Sequence, residues 1–265
     1  MIIGNSPRRR VVLIVAAALV VVLAVAALVL VRRGAEVTHT SVAQDRPGPV
    51  LLVPGYGGDR AGLEVLATVL RAAGRDATVL ALPGDGTGPL AASATALDVA
   101  ARAAVAAGAP SVDVVGYSAG GVIARLWVAE QGGAALARRV VTLGSPHHGT
   151  EVAGLAVALA PSSCPAACQE LAPDSDLLAG LNRGDETPDG PRWISIWTIQ
   201  DETVTPPDSA RLDGALDLVV QNRCPGRSVS HGQLPRDAAV QALVLAAVGT
   251  ALPNAAGAGA GCPAA

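Results

Sequence analysis

The stretch Val114-Val115-Gly116-Tyr117-Ser118-Ala119-Gly120-Gly121 (VVGYSAGG) sets a serine between glycines directly after an apolar run. The pattern Gly-x-Ser-x-Gly decides little by itself: with 30 Gly in 265 residues, a shuffled chain would carry it roughly once in six. Its surroundings say more. SVDVVGY (111–117) reads as a short buried strand, and AGGVIARLWVAEQG after it as an amphipathic helix. A serine on a strand–turn–helix corner is the arrangement that exposes a nucleophilic hydroxyl at the top of a parallel sheet. Gly116 and Gly120 suit such a corner, because strand and helix then approach without Cβ atoms between them. The helix N-terminus favours negative charge developing beside the serine. Read alone, the eight residues equally fit a glycine-rich βα turn that binds phosphate.

The same alternation continues on both sides. PVLLV (49–53) is a strand followed by the turn PGYGG, and residues 61–74 have helical spacing ending at Gly74. ATVLAL (77–82) is the next strand, and the alanine-rich 90–107 a long helix ending at Gly108. RRVVTLG (138–144), RWISIWTIQ (192–200) and LDLVVQ (216–221) supply further strands, and a last helix starts near Arg236. Strand–helix repetition of this kind predicts an α/β domain with a mostly parallel sheet covered on both faces. Its sites lie at the carboxyl ends of the strands.

At 265 residues and 51% hydrophobic side chains, the chain buries one substantial core. The net charge of −3 offers no basic field for nucleic acid. All nineteen basic residues are arginine and phenylalanine is absent, which suggests a GC-rich coding bias. Arg8 to Arg10 precede an uninterrupted apolar run from Val11 to Val31, closed by Arg32-Arg33. That length suits a membrane-spanning helix better than the shorter apolar core of a cleaved signal. The expected organisation is thus a signal anchor or signal peptide at 1–33, a linker at 34–48, a catalytic domain at 49–250 and a tail at 251–265.

Four cysteines, Cys164, Cys168, Cys224 and Cys262, lie behind this export signal. No Cys or His pair nearby completes a zinc site. Of the three possible connectivities, Cys164–Cys168 with Cys224–Cys262 is expected, the second fastening the glycine-rich tail, and it places the body in an oxidising compartment.

A serine nucleophile needs a base, and the base an acid to orient it. His39 lies in the linker. His147 and His148, in LGSPHHGT, precede any suitable acid and read as loop structure. His231, in GRSVSHGQLP after the last strand, is the expected base. Asp201 directly follows the tryptophan-bearing strand and is the expected acid; alternation turns Glu202 the other way. Asp208, Asp213 and Asp217 read as solvated charges.

Taken in order, PGYGG, GYSAGGVIAR, VVTLGSPHHGT, SIWTIQDETVTPPDSA and SVSHGQLP resemble the small bacterial, actinobacterial-type lipases and esterases of the α/β-hydrolase fold, the lipase class 2 group, over about residues 48–250. The resemblance implies Ser118 as nucleophile, Asp201 as acid, His231 as base, and the backbone N–H groups of Tyr56 and Ala119 as an oxyanion hole. Pro54 departs from the histidine that relatives often carry there, which bears on substrate fit. The expected activity is hydrolysis of acyl esters, lipid or other, through an acyl-serine, with neither metal nor organic cofactor, in a monomer. Residues 144–191 are the only room for a cap; no long amphipathic lid is visible there, so a shallow apolar cleft taking short to medium acyl chains is expected. Two other functions fit parts of the pattern: an acyltransferase or lipid deacylase of the cell envelope with the same triad, and a non-catalytic binding protein of the same fold.

Overall fold

The computed structural model of the protein describes residues 14, 16–21, 42–251 and 262, and the chain divides into two units, residues 1–39 and 40–265. In the first unit Ile14 and residues 16–21 are helical and exposed. Most of the apolar run Val11 to Val31 lies outside the described residues, as does most of the tail. Among the described residues no helix is long and apolar enough to cross a membrane.

The second unit is built on six strands: β1 (Val50–Val53), β2 (Ala77–Val79), β3 (Val112–Tyr117), β4 (Ala137–Leu143), β5 (Arg192–Trp197) and β6 (Leu216–Val219). All neighbours pair in parallel, in the order β2-β1-β3-β4-β5-β6. The main helices are α1 (Ala61–Ala72), α2 (Leu90–Ala106), α3 (Ala119–Glu130) and α8 (Ala238–Ala247). Parallel neighbours require crossovers; helices lie in those between β1 and β5, and a single 3-10 turn, Pro207–Ala210, in the one from β5 to β6. Alternate strand residues feed two cores. Leu51, Val53, Val114 and Val140 pack with Leu97, Val122 and Trp127 of α2 and α3. Val50, Leu52, Val115 and Ile196 pack with Leu66 and Leu70 of α1 and Val240 and Val244 of α8. This fully covered sheet, with its helices on both faces, is an α/β-hydrolase fold. Several strands are shorter than their apolar runs: β2 stops at Val79 and β5 at Trp197.

The crossover order reverses beside β1, since β2 lies on one side of it and β3 on the other. A parallel sheet opens a crevice at such a point, outside the strands' carboxyl ends. The loops leaving β1 and β3 there are Pro54-Gly55-Tyr56 and Ser118.

The opposite end is closed by charge. Asp113 on β3 is wholly buried and accepts from Arg138 at 2.9 and 2.5 Å and from Arg75 at 2.7 Å. Arg138 also donates to the carbonyls of Val248 and Gly249, and Arg139 to those of Ala247 and Thr250, so both arginines fasten the carboxyl end of α8. Burial lowers the Arg139 pKa, and its neighbour Arg138 lowers it further.

Between β4 and β5 the chain forms α4 (Glu151–Leu159), α5 (Ala166–Glu170) and α6 (Asp176–Leu181). Short helices thus occupy the place where no long lid is legible. Cys164 and Cys168 are disulfide-bonded, with Cα atoms 5.3 Å apart, as are Cys224 and Cys262, 5.6 Å apart. Cys224 directly follows α7 (Val220–Arg223).

Candidate active site

Ser118 stands between β3 and α3 with φ 53° and ψ −126°. Among the described residues it alone combines a positive φ with a side chain. Such a conformation costs about 1–3 kcal/mol and persists only where its surroundings enforce it. Here the Ser118 N–H donates to the Leu143 carbonyl at 2.9 Å, tying the turn to β4. The glycines allow the close packing. A Cβ on Gly120 would stand 2.2 Å from the Val53 carbonyl oxygen, and one on Gly116 2.5 Å from the Gly120 backbone. Neither position admits a larger residue without parting the strand from the helix.

The PGYGG turn lies directly against this corner. A Cβ on Gly55 would meet the Ser118 Cβ at 2.9 Å. Tyr56 follows, and among the described residues neither its N–H nor that of Ala119 donates to a protein acceptor. Two backbone donors are therefore left over on the two loops that flank the serine.

Asp201 and His231 meet. The strand before Asp201 ends at Trp197, so the carboxylate sits in a turn where strand alternation no longer applies. Its Oδ1 accepts from the Thr203 and Val204 N–H groups at 2.9 and 2.7 Å, which leaves Oδ2 for His231 Nδ1 at 2.7 Å. Both side chains are buried. A carboxylate on Nδ1 puts the neutral ring's proton there and leaves Nε2 as a base. His231 opens a single 3-10 turn, residues 231–233, closed by a capping box between Ser230 and Gln233. Gly144, at φ 53°, makes room for the pair: a Cβ there would lie 3.0 Å from Asp201 Oδ2 and 3.3 Å from His231 Nδ1. Tyr117, the neighbour of Ser118, lays its ring 5.1 Å from the imidazole at 33°. Ser118, after β3, and Asp201, after β5, thus both stand at the carboxyl edge of the sheet, with His231 held against Asp201 and beside Tyr117.

A cavity of about 280 Å³ opens at Ser118. Tyr56, Val152, Ser163 and Thr203 form its exposed rim, and Pro146, Ala153, Leu171 and Val204 its buried floor. Cys168 brings the short disulfide into the wall. The wall is thus largely apolar, and α4 supplies much of it. A larger groove, about 410 Å³, runs past Arg192 and Leu216, the first residues of β5 and β6, at the far end of the sheet from Ser118. Among the described residues no group of His, Cys, Asp and Glu is arranged to hold a metal ion.

His147 is fully buried and donates from Nε2 to Thr142 Oγ1 at 3.1 Å; Thr142 donates on to Ser195, and Ser195 to the Ala210 carbonyl. Burial holds its pKa well below the ordinary 6.5, with Arg125 and His148 acting in the same direction. His148 bonds Glu186 at 2.9 Å on the surface. Neither touches the Asp201–His231 pair, so both are loop residues. Arg125, buried on α3, donates to the carbonyls of His147, Leu181 and Glu186 and joins the serine's helix to the insertion. Burial pulls its guanidinium down to about 10, against the pull of Glu186 and Asp185. Arg125, Tyr117 and Asp113 carry no local signal in the sequence, since their partners lie 22 to 114 residues away in the chain.

The architecture is that of the α/β-hydrolase fold, with Ser118 at the corner between β3 and α3. Residues 101–213 match the family model described as lipase (class 2). A search of curated proteins finds no match. Among solved structures the chain is similar to Aspergillus fumigatus lipase B, with 18% identity and a TM-score of 0.64, over 79% of this chain and 54% of that one. It therefore spans about half the length of that protein. It is also similar to the mature form of the Bacillus licheniformis lipase BlEst2, with 19% identity and a TM-score of 0.61, over 72% of this chain and 87% of that one. Both similarities are to the fold of these proteins.

Proposed function

We propose that this protein is an extracytoplasmic serine carboxylic-ester hydrolase. The observation that carries the proposal is the strained Ser118 at the mouth of an apolar cavity, on the same edge as a buried Asp201–His231 hydrogen bond. In the reaction Ser118 Oγ attacks the ester carbonyl while His231 Nε2 takes its proton. The Tyr56 and Ala119 N–H groups receive the oxyanion, each worth roughly 3 kcal/mol in such sites. His231 then gives the proton to the departing alcohol, leaving an acyl-serine. Water activated by the same imidazole adds to the acyl carbon, and the acid leaves as the serine regains its proton. Asp201 keeps its charge throughout and stabilises the imidazolium.

The cavity, about 280 Å³, lies just below the usual range for small-molecule pockets, about 300–1,000 Å³, which supports short to medium acyl chains. Two disulfides support an oxidising compartment, and the hydropathy of Val11 to Val31 supports attachment to the membrane there. A fluorophosphonate probe tests the chemistry: wild type is labelled and Ser118→Ala is not. No labelling of wild type, or labelling that survives in Ser118→Ala, overturns the proposal. A panel of p-nitrophenyl acetate, butyrate, octanoate and palmitate tests the substrate range, and a preference for palmitate refutes it.

A further inference from the structure

We propose that Tyr117 and Glu202 clamp the main chain of His231 and set its position relative to Ser118. This rests on the reading of His231 as the base. The backbone of His231 is held on both sides. Its N–H donates to Glu202 Oε2 at 3.2 Å, and its carbonyl accepts from the Tyr117 hydroxyl at 3.2 Å. The Tyr117 ring packs on the imidazole as well. Asp201 holds the other end of the residue, at Nδ1.

The clamp answers a mechanical need. His231 lies in the irregular segment 224–237, whose one regular piece is a single 3-10 turn. The hydrogen bond that Nδ1–H donates to Asp201 fixes the ring's tautomer and rotation, but not the place of the main chain that carries it. Tyr117 is the last residue of β3 and directly precedes Ser118. Its hydroxyl therefore references the base to the strand that carries the nucleophile, so that the two reacting groups share one rigid support. Glu202 does the same from the turn that carries Asp201. The phenol remains a donor at every working pH: burial pushes its pKa up to about 12, helped by Asp201, Glu202 and Asp59 and opposed by Arg236. Both are positioning residues, acting through His231.

The test uses the full chain carrying Tyr117→Phe, Glu202→Ala, Glu202→Gln, or Tyr117→Phe with Glu202→Ala, and p-nitrophenyl butyrate. Loss of one hydrogen bond to the positioned base is expected to lower kcat about three- to tenfold, with KM and Tm close to wild type. Glu202→Gln keeps an oxygen acceptor for the N–H and restores most of the rate lost in Glu202→Ala. The downfield proton resonance of His231 Nδ1–H, assigned by its absence in His231→Ala, broadens in the double variant. Wild-type kcat with an unchanged resonance in the double variant overturns the clamp, and so does Glu202→Gln behaving like Glu202→Ala. If wild type neither hydrolyses the ester nor takes the fluorophosphonate, the proposed function fails instead, and the resonance alone then decides whether the clamp exists.

Discussion

His147 makes the acid stability of this protein predictable. Its Nε2–H donates to Thr142 Oγ1, because that hydroxyl is already committed as a donor to Ser195, and Ser195 in turn to the Ala210 carbonyl. Protonation would therefore add a proton at Nδ1, which is buried and has no hydrogen-bond partner. Arg125, which donates to the His147 carbonyl, adds repulsion. The native state thus keeps the ring neutral well below pH 6.5, whereas the unfolded chain binds the proton near that value. The unfolded state then binds more protons over this range, so stability is complete above pH 6.5 and falls as the pH drops. The loss can be no steeper than the single-proton linkage slope, so by pH 5.5 it is on the order of 1 kcal/mol relative to pH 8. For a domain of this size that is a Tm shift of roughly 2–4 °C. His147→Gln keeps a polar partner for Thr142 and cannot titrate. Urea unfolding of both proteins from pH 8 to pH 4.5 isolates the effect, since every other titrating group is common to the two. The wild-type curve should fall more steeply below pH 6.5, by up to that slope. Parallel curves would show that the buried ring accepts its proton without cost, and the account of His147 would be wrong.

Three further outcomes follow from the geometry. Asp113→Asn leaves Arg138 buried without its counter-charge, and should cost about 3–5 kcal/mol in denaturant unfolding; a loss under 1 kcal/mol would mean that the carbonyls at the end of α8 suffice. Ser118→Gly relieves the strained φ, and should raise stability by about 1 kcal/mol while abolishing fluorophosphonate labelling, whereas Ser118→Ala abolishes labelling without that gain. Ala156, on α4, lines the cavity at Ser118; Ala156→Leu fills part of it and should lower kcat/KM for octanoate about tenfold while leaving acetate unchanged, and an equal effect on both esters would place the acyl chain elsewhere.

Much of the fold and the candidate site was legible in the chain because local rules governed it. The Gly-x-Ser-x-Gly corner was readable since the glycines it needs are set by backbone contact between adjacent elements, and the structure places Gly120 against Val53 accordingly. The choice of Asp201 over Glu202 came from strand alternation, yet β5 ends four residues before Asp201. What turns the Asp201 carboxylate toward His231 is a turn in which its Oδ1 is held by two N–H groups. Glu202, expected to face away, reaches the backbone of the same histidine. The insertion showed no lid, since its helices are too short for a periodic pattern to stand out from an alanine-rich background.

The sequence by itself determined the alternation of strands and helices, the corner that carries Ser118, and the downstream order of Asp201 and His231, because each depends on residues close together in the chain. Only the tertiary structure decided which carboxylate oxygen meets His231, which donors remain free beside Ser118, and that Tyr117 reaches a carbonyl 114 residues away. Those relations depend on how the loops leaving β1, β3, β4 and β5 and the segment after α7 converge at one edge of the sheet, and no local pattern encodes the distance between them.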